Sequence, residues 1–309
     1  VLASAVMLGW AGSNNYRLSI VTLMVAYSFI ALGMYVPVAW AGSLSLAYGA
    51  YAAIGAYSVA YLSTEHGWPV WGGWAVGVVL AATFAIIIGL ATARLLGFYL
   101  VAATLLFATA FETWLDNTLE LGSSNGIVGV PDLSLFGWSP GKQTVVAGGV
   151  VIVLLVAFAI HRVRSSRWGV IVRSIGEAPV VPSSSGVPVG RMTIVVLAIG
   201  AMFAALGGSF FVTAVGGITP ETFNMNIVFL ALFMPLLGGL GTPWGAVVGA
   251  MLTVQLTVQW DIFSGGGLFV LSIAVVLVLL VAPAGVLGWL SKGVELVTGR
   301  QRRNGASHV

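Results

Sequence analysis

The stretch QTVVAGGVVIVLLVAFAIHRVRSSR, Gln143 to Arg167, decides the fold class. From Gln143 to Ile160 it carries no ionisable residue, and beyond Thr144 it is built only of small and apolar ones. An α-helix needs roughly 20 such residues to cross the hydrocarbon core of a bilayer. Arg162, Arg164 and Arg167 follow at once and belong in water or headgroups. We therefore place a membrane-spanning helix over 143–162, with its C-terminal end on the cytoplasmic side, where short loops are rich in Lys and Arg.

The same reading extends in both directions. Apolar segments stand at 17–38, 43–63, 70–94, 98–116, 143–162, 191–214, 225–239, 243–260 and 266–283. With the apolar stretch Val1 to Gly12, too short to cross alone, they predict an all-α, polytopic transmembrane bundle of about nine to ten spans. Val1 to Gly12 lacks the basic flank of a signal peptide and leads directly into further spans, so it reads as a trimmed first span or the end of a longer start. Composition agrees: 59% of the 309 residues are hydrophobic and 7% charged, against about a quarter charged in a soluble domain. The 41 glycines suit helices that approach closely in lipid. Pro37, Gly42, Gly49, Gly55, Pro235 and the run Gly238, Gly239, Gly241, Pro243 interrupt the apolar segments, which points to broken or re-entrant stretches among them.

The longest polar stretch between spans runs from His161 to Arg191 and holds Arg162, Arg164, Arg167, Arg173 and Arg191. The tail after residue 290 adds Lys292, Arg300, Arg302 and Arg303. With both placed inside, alternation of spans puts Arg94 inside as well and leaves Arg17 and Lys142 outside, so ten of the twelve basic residues fall on one side. The opposite side receives Glu65, Asp116, Glu120, Asp132 and Glu221, with Trp68, Trp71, Trp74, Trp114 and Trp138 as an interfacial belt. The chain is thus read as a membrane domain over 1–290, with a cytoplasmic segment 163–190 and an external loop 117–142, followed by a cytoplasmic tail 291–309. The positive charge serves topology; the basic residues flank spans and form no surface for nucleic acid.

Chemistry is sparse. The chain has no cysteine, which excludes disulfides and thiolate chemistry, and His66, His161 and His308 show no metal-ligand spacing. No GxxxxGK[ST], HExxH or GxSxG motif occurs, so the chain is not read as an enzyme and is expected to bind no cofactor or metal of its own. The run GGLGTPWG, Gly238 to Gly245, reads as a tight turn between two spans and not as a phosphate loop. Gly245 to Gly249 forms GxxxG, and Gly200, Ala204 and Gly208 form a second small-residue stripe; both predict close helix packing. The conspicuous ionisable residue is Glu112, several residues before the outer end of its span, with Asp116 one turn on and on the same helical face. An intramembrane carboxylate is a candidate for the solute path, or bonds a neighbouring helix. Ser43, Ser45, Tyr48, Tyr51, Thr104 and Asn226 are polar residues within spans that line such a path or bond between helices.

Four stretches carry a resemblance. They are AGSLSLAYGAYAAIGAYSVAYL (Ala41 to Leu62), GFYLVAATLLFATAFE (Gly97 to Glu112), SSNGIVGVPDLSLFG (Ser123 to Gly137) and PLLGGLGTPWGAVVGA (Pro235 to Ala250). Together they resemble the branched-chain amino acid ABC transporter permease family of the LivM type, from about Ala41 to Leu290. The resemblance implies a bacterial inner-membrane importer subunit that translocates branched-chain or other small amino acids. It implies a second permease of the LivH type, two ATP-binding subunits that use ATP and Mg2+, and an external solute-binding protein as partners, besides membrane lipid. It further implies that 163–190 couples to the ATPase, with Arg167, Arg173, Ile175, Glu177, Ala178 and Gly186 at matching positions. Here the chain departs from the family, placing Pro179, Pro182 and three serines where helical residues are usual, so the coupling helix begins near Pro179, is shortened, or docks differently. Urea or short amides, then a sugar or nucleoside, are the alternative solutes. A passive channel or a structural subunit without a path are readings of another class.

Overall fold

A computed structural model describes residues 15–92, 98–134, 140–177 and 186–259, together with Gly285 and Gly288. The span expected at 266–283, the stretch Val1 to Gly12 and the tail from 291 lie outside these residues, as do Arg94, Trp138, Ala178, Pro179 and Pro182.

Apolar length makes the helices. In chain order they are α1 (Asn15–Ala41), α2 (Tyr48–Thr64), α3 (Val70–Thr92), α4 (Phe98–Asn117), α5 (Lys142–Arg164), α6 (Arg167–Glu177), α7 (Val189–Val215), α8 (Met225–Gly238) and α9 (Pro243–Val254). A π-turn, Gln255–Gln259, continues α9. Each apolar segment expected before residue 260 contains one helix, from 12 residues in α9 to 27 in α1, and α6 lies in the stretch expected to be polar loop. By length and composition, α1, α3, α5, α7 and the run Pro220–Gly238 can each cross a membrane. Of the expected nine to ten spans these five are the ones that length and composition together support, and α4, with 20 residues, matches them in length.

The bundle is organised around α1 and α7, which pack along each other. Most of α1 is buried, consistent with a helix that is apolar all round, and α5, α6, α8 and α9 also pack against it. Helix α7 carries α2 and α3 on its other side. Small residues make this possible: a Cβ at Gly208 would lie 1.8 Å from the Ala52 carbonyl oxygen, so α7 and α2 touch backbone to backbone. The stripe at Gly200, Ala204 and Gly208 serves two neighbours, Gly200 and Ala204 lying against Gly33 of α1 and Gly208 against Ala52 of α2, and Gly245 and Gly249 likewise seat α9 on Gly238 and Met234 of α8. On α3 the buried face is Gly73, Gly77, Ala81, Ala85 and Gly89, one small residue per turn. Its opposite face shows Val79, Leu80, Ile86, Ile87 and Leu90, and α5 shows Val151, Ile152, Leu155 and Phe158. Such faces suit lipid and not water.

The two ends of the bundle differ. One gathers the chain after α1, the α5–α6 turn and the α8–α9 turn, with Arg164 and Arg173. The other gathers the α2–α3 turn, the 3-10 turn Pro220–Phe223 and a two-residue antiparallel ladder, Ile127 with Ile218 and Val128 with Gly217, which ties the 117–142 loop to the end of α7.

Candidate functional site

The expected span 43–63 does not begin as a helix. After Ala41 the backbone turns at Gly42, with φ +59°, and residues 42–47 have no helical structure before α2 starts at Tyr48. Non-helical backbone at membrane depth must find hydrogen bonds inside the protein or line a wet cavity. Here the Leu46 amide donates to Thr104 Oγ1 of α4 at 3.0 Å, the Ser43 amide to the Pro37 carbonyl at 3.1 Å, and the Ala47 amide to Ser45 Oγ at 3.5 Å. The Thr104 hydroxyl in turn donates to the Leu100 carbonyl at 2.9 Å. Ser45 and Thr104, picked from sequence as isolated polar residues, thus meet at one break in the bundle core, each 1% exposed.

Tyr48 and Tyr51 stand directly above the break. Their rings meet edge to face, centroids 5.6 Å apart, and Tyr51 leads to Phe107 at 6.3 Å, Phe111 and Trp114 in an aromatic row along α4. The Tyr48 hydroxyl abuts Gly200 and has no hydrogen-bond partner among the described residues. A buried hydroxyl without a partner is costly and points to a bound water, a solute group or a second conformation as its complement. Near the other end, half-buried Glu112 feels the charges of Asp116 and of Glu221, which the Pro220–Phe223 turn brings to α4. Asn226 stands apart from the break: it is exposed at the start of α8, its amide held by Asn224 Oδ1 at 3.0 Å.

The segment expected to couple holds a real helix, earlier than Pro179. In α6, Trp168, Val172 and Ile175 lie along the inner face, with Val172 and Ile175 0% and 4% exposed, whereas Val170 and Ile171 are 55% and 39% exposed. The inner face is seated on the end of α1: Trp168 meets Trp40 edge to face, and Gly176 touches Gly42 so closely that a Cβ at Gly176 would lie 2.8 Å from the Gly42 amide nitrogen. Arg167 is exposed at the first turn, and half-buried Arg173 bonds its own Gly169 carbonyl at 3.4 Å. Ile175 faces the bundle. Glu177 ends the helix, Ala178 lies outside the described residues, and Gly186, exposed at φ +80°, precedes α7.

Three contacts are not legible in the sequence. The Gly42–Gly176 contact joins the break to α6, and Arg164, counted there only as a topology signal, donates to the Tyr35 hydroxyl and the Leu240 carbonyl. The amphipathic spacing of Trp168, Val172 and Ile175 was the available signal for α6. No group of three or more metal-ligating side chains occurs among the described residues. The site's chemistry is accordingly conformational: a hydrogen-bonded break, an aromatic row, and a surface helix resting on the break.

Comparison with known proteins gives one consistent result. Residues 16–283 match the family described as branched-chain amino acid transport system, permease component. The chain is 27% identical to the high-affinity branched-chain amino acid transport system permease protein LivM of Escherichia coli, over 91% of this chain and 72% of that protein. Against LivM of Salmonella typhimurium it is 26% identical over 92% and 72%. The fructose import permease protein FrcC of Rhizobium meliloti is 25% identical over 44% of this chain and 41% of its own length. No solved structure matches the chain.

Proposed function

The chain belongs to the family of permease components of branched-chain amino acid transport systems, a multi-pass membrane transport subunit and not an enzyme, and from that premise we propose that it serves an ATP-driven ABC importer. In this reading a solute-binding protein delivers branched-chain or other small amino acids to the external side. A second permease of the LivH type completes the path, and two ATP-binding subunits hydrolyse MgATP on the cytoplasmic side of a bacterial inner membrane. The C-terminus and the 163–190 segment lie on that side.

The observation that carries the reading is α6, an amphipathic helix lying on the basic end of the bundle. It buries Val172 and Ile175 and leaves Val170 and Ile171 in the open. A passive channel has no use for such an outward apolar pair at its cytoplasmic end, whereas a docked ATPase covers it. The inner face then passes the movement of the ATPase on to Trp40 and Gly42. Within that scheme Arg167 borders the docking face, and Arg173, Ile175 and Glu177 shape and seat the helix. Ser45, Tyr48, Tyr51 and Thr104 form the part of the path that responds, Glu112 polarises its outer half, and Asn226 stands at its external rim.

Co-purification tests the arrangement. A tagged chain expressed with its neighbouring subunits is expected to bring down the second permease and both ATP-binding subunits in stoichiometric amounts. Recovery of the chain alone, folded and active in solute flux, would instead establish a facilitator. The partial likeness to a fructose permease keeps a sugar as the second solute class, and competition of labelled leucine with urea and fructose decides between them.

A further inference from the structure

Arg164 is the last residue of α5, and it behaves unlike the arginines beside it. Arg162 and Arg167 are exposed, as cytoplasmic residues flanking a span ordinarily are. The Arg164 side chain is turned back into the bundle. It donates to the hydroxyl of Tyr35, a residue of α1 that is 0% exposed, and to the carbonyl of Leu240 in the turn between α8 and α9 at 3.2 Å.

These contacts join three elements. Only two residues, 165 and 166, separate Arg164 from the start of α6, so any displacement of α6 pulls on that short link and on Arg164 itself. That link is fixed by hydrogen bonds: the Ser165 amide donates to the His161 carbonyl at 3.3 Å and the Ser166 amide to the Val163 carbonyl at 3.0 Å, while Ser166 Oγ accepts from the Gly169 amide at 3.2 Å. Gly169 of α6 is packed against the carbonyl groups of Val163 and Arg164. The end of α5 and the start of α6 therefore move as one piece. From that piece, α1 is held through Trp40 and Trp168, and the α8–α9 turn is held through the guanidinium of Arg164.

We propose that Arg164 is the positioning residue that couples α6 to the α8–α9 turn. Through it, one displacement of the cytoplasmic helix shifts α1 and the α8–α9 pair together. The inference rests on the importer reading and adds to it a specific tie. Arginine suits the task because its planar fork presents several N–H donors at fixed angles and serves two acceptors on different elements, whereas the single ammonium of lysine, on a flexible stem, does not hold that geometry. Leu240 contributes a main-chain oxygen, so this half of the tie places no demand on the side chain at 240. Tyr35 contributes a hydroxyl that phenylalanine lacks.

The test uses the complete transporter in vesicles, with the binding protein added, and reads ATP hydrolysed per solute imported. Arg164→Ala is expected to raise that ratio on the order of fivefold or more through loss of charge-assisted hydrogen bonds, at near wild-type ATP hydrolysis and complex yield. Arg164→Lys is expected to fall between wild type and alanine. Tyr35→Phe is expected to raise the ratio less, and to add nothing in the Arg164→Ala background, since both changes break the same tie. If Arg164→Ala does not assemble, Arg164→Lys and Tyr35→Phe carry the test, because each preserves most of the side-chain volume. A ratio unchanged in these variants, whether uptake and hydrolysis both persist or both fall in proportion, overturns the role of Arg164. Absence of ATP-dependent uptake by the wild-type complex would instead overturn the importer reading, and the tie with it.

Discussion

Trp40 and Trp168 meet edge to face, with ring centroids 5.7 Å apart and planes at 77°, so the last turn of α1 and the first turn of α6 share one contact. Such a pair contributes about 0.5–1.5 kcal/mol beyond its buried area. Trp168→Ala is expected to lower the melting temperature of the purified complex by a few degrees and to weaken uptake more than ATP hydrolysis, with Trp168→Phe restoring most of both. Equal loss of the two activities would show that the contact only holds the fold.

The outward face of α6 predicts a binding defect without a folding defect. Val170→Asp and Ile171→Asp place charge on side chains that are 55% and 39% exposed, so chain levels in the membrane are expected to stay near wild type. Charge in the centre of a docking face opposes association, and co-elution of the ATP-binding subunits is expected to fall at least about tenfold, the effect of 1.4 kcal/mol. ATPase recovery equal to wild type would move the docking face elsewhere.

Helix contact at Gly208 predicts the opposite. A Cβ there would lie 1.8 Å from the Ala52 carbonyl oxygen, whereas at Gly148 of α5 it meets no atom within 4 Å. Gly208→Leu is expected to abolish folded chain in the membrane and Gly148→Leu to leave it near wild type, as read by fluorescence-detected gel filtration. A monodisperse Gly208→Leu protein at normal yield would contradict the packing.

The break at residues 42–47 is held by Thr104, whose hydroxyl accepts the Leu46 amide. Thr104→Val keeps the shape and removes the acceptor, at a cost of about 1–3 kcal/mol for the stranded amide. Thr104→Ser is expected to behave as wild type. Both are checked by thermal unfolding in detergent, and a valine variant as stable as the serine variant would show that the break has another support.

Glu112 lies within α4 beside Asp116 and within reach of the charge of Glu221. If its carboxylate serves the outer half of the path, Glu112→Gln lowers uptake about tenfold or more, the equivalent of about 1.4 kcal/mol in the transport barrier, at unchanged complex yield. Wild-type uptake in that variant would leave the carboxylate a structural one.

The sequence disclosed the helices because apolar length is a one-dimensional signal: α3, α4, α5, α8 and α9 begin within a residue of the expected starts at 70, 98, 143, 225 and 243, whereas their ends differ by up to six residues. The stripe of Gly200, Ala204 and Gly208 was legible for the same reason, since small residues one turn apart have one packing meaning in lipid. Gly42 signals an interruption, but Ser43 to Ala47 has the hydropathy of a span, so its non-helical backbone is not legible there. The resemblance implied a coupling helix in 163–190, beginning near Pro179, shortened or docked differently; α6 lies ahead of Pro179, in a stretch that arginines make look like loop, although Trp168, Val172 and Ile175 repeat at helical spacing. Arg164 was hidden most deeply. Its partners are a tyrosine 129 positions away and a main-chain oxygen 76 positions away, and a carbonyl acceptor leaves no mark in the side-chain pattern.

The measurement that bears most directly on the importer reading is uptake of labelled leucine, isoleucine and valine by vesicles containing the chain with its co-encoded subunits. ATP inside the vesicle-equivalent cytoplasmic compartment and the binding protein outside are each supplied or withheld. The reading predicts accumulation only when both are present, and none when either is withheld. Flux of these solutes down their gradient without ATP or binding protein would contradict it and make the chain a facilitator.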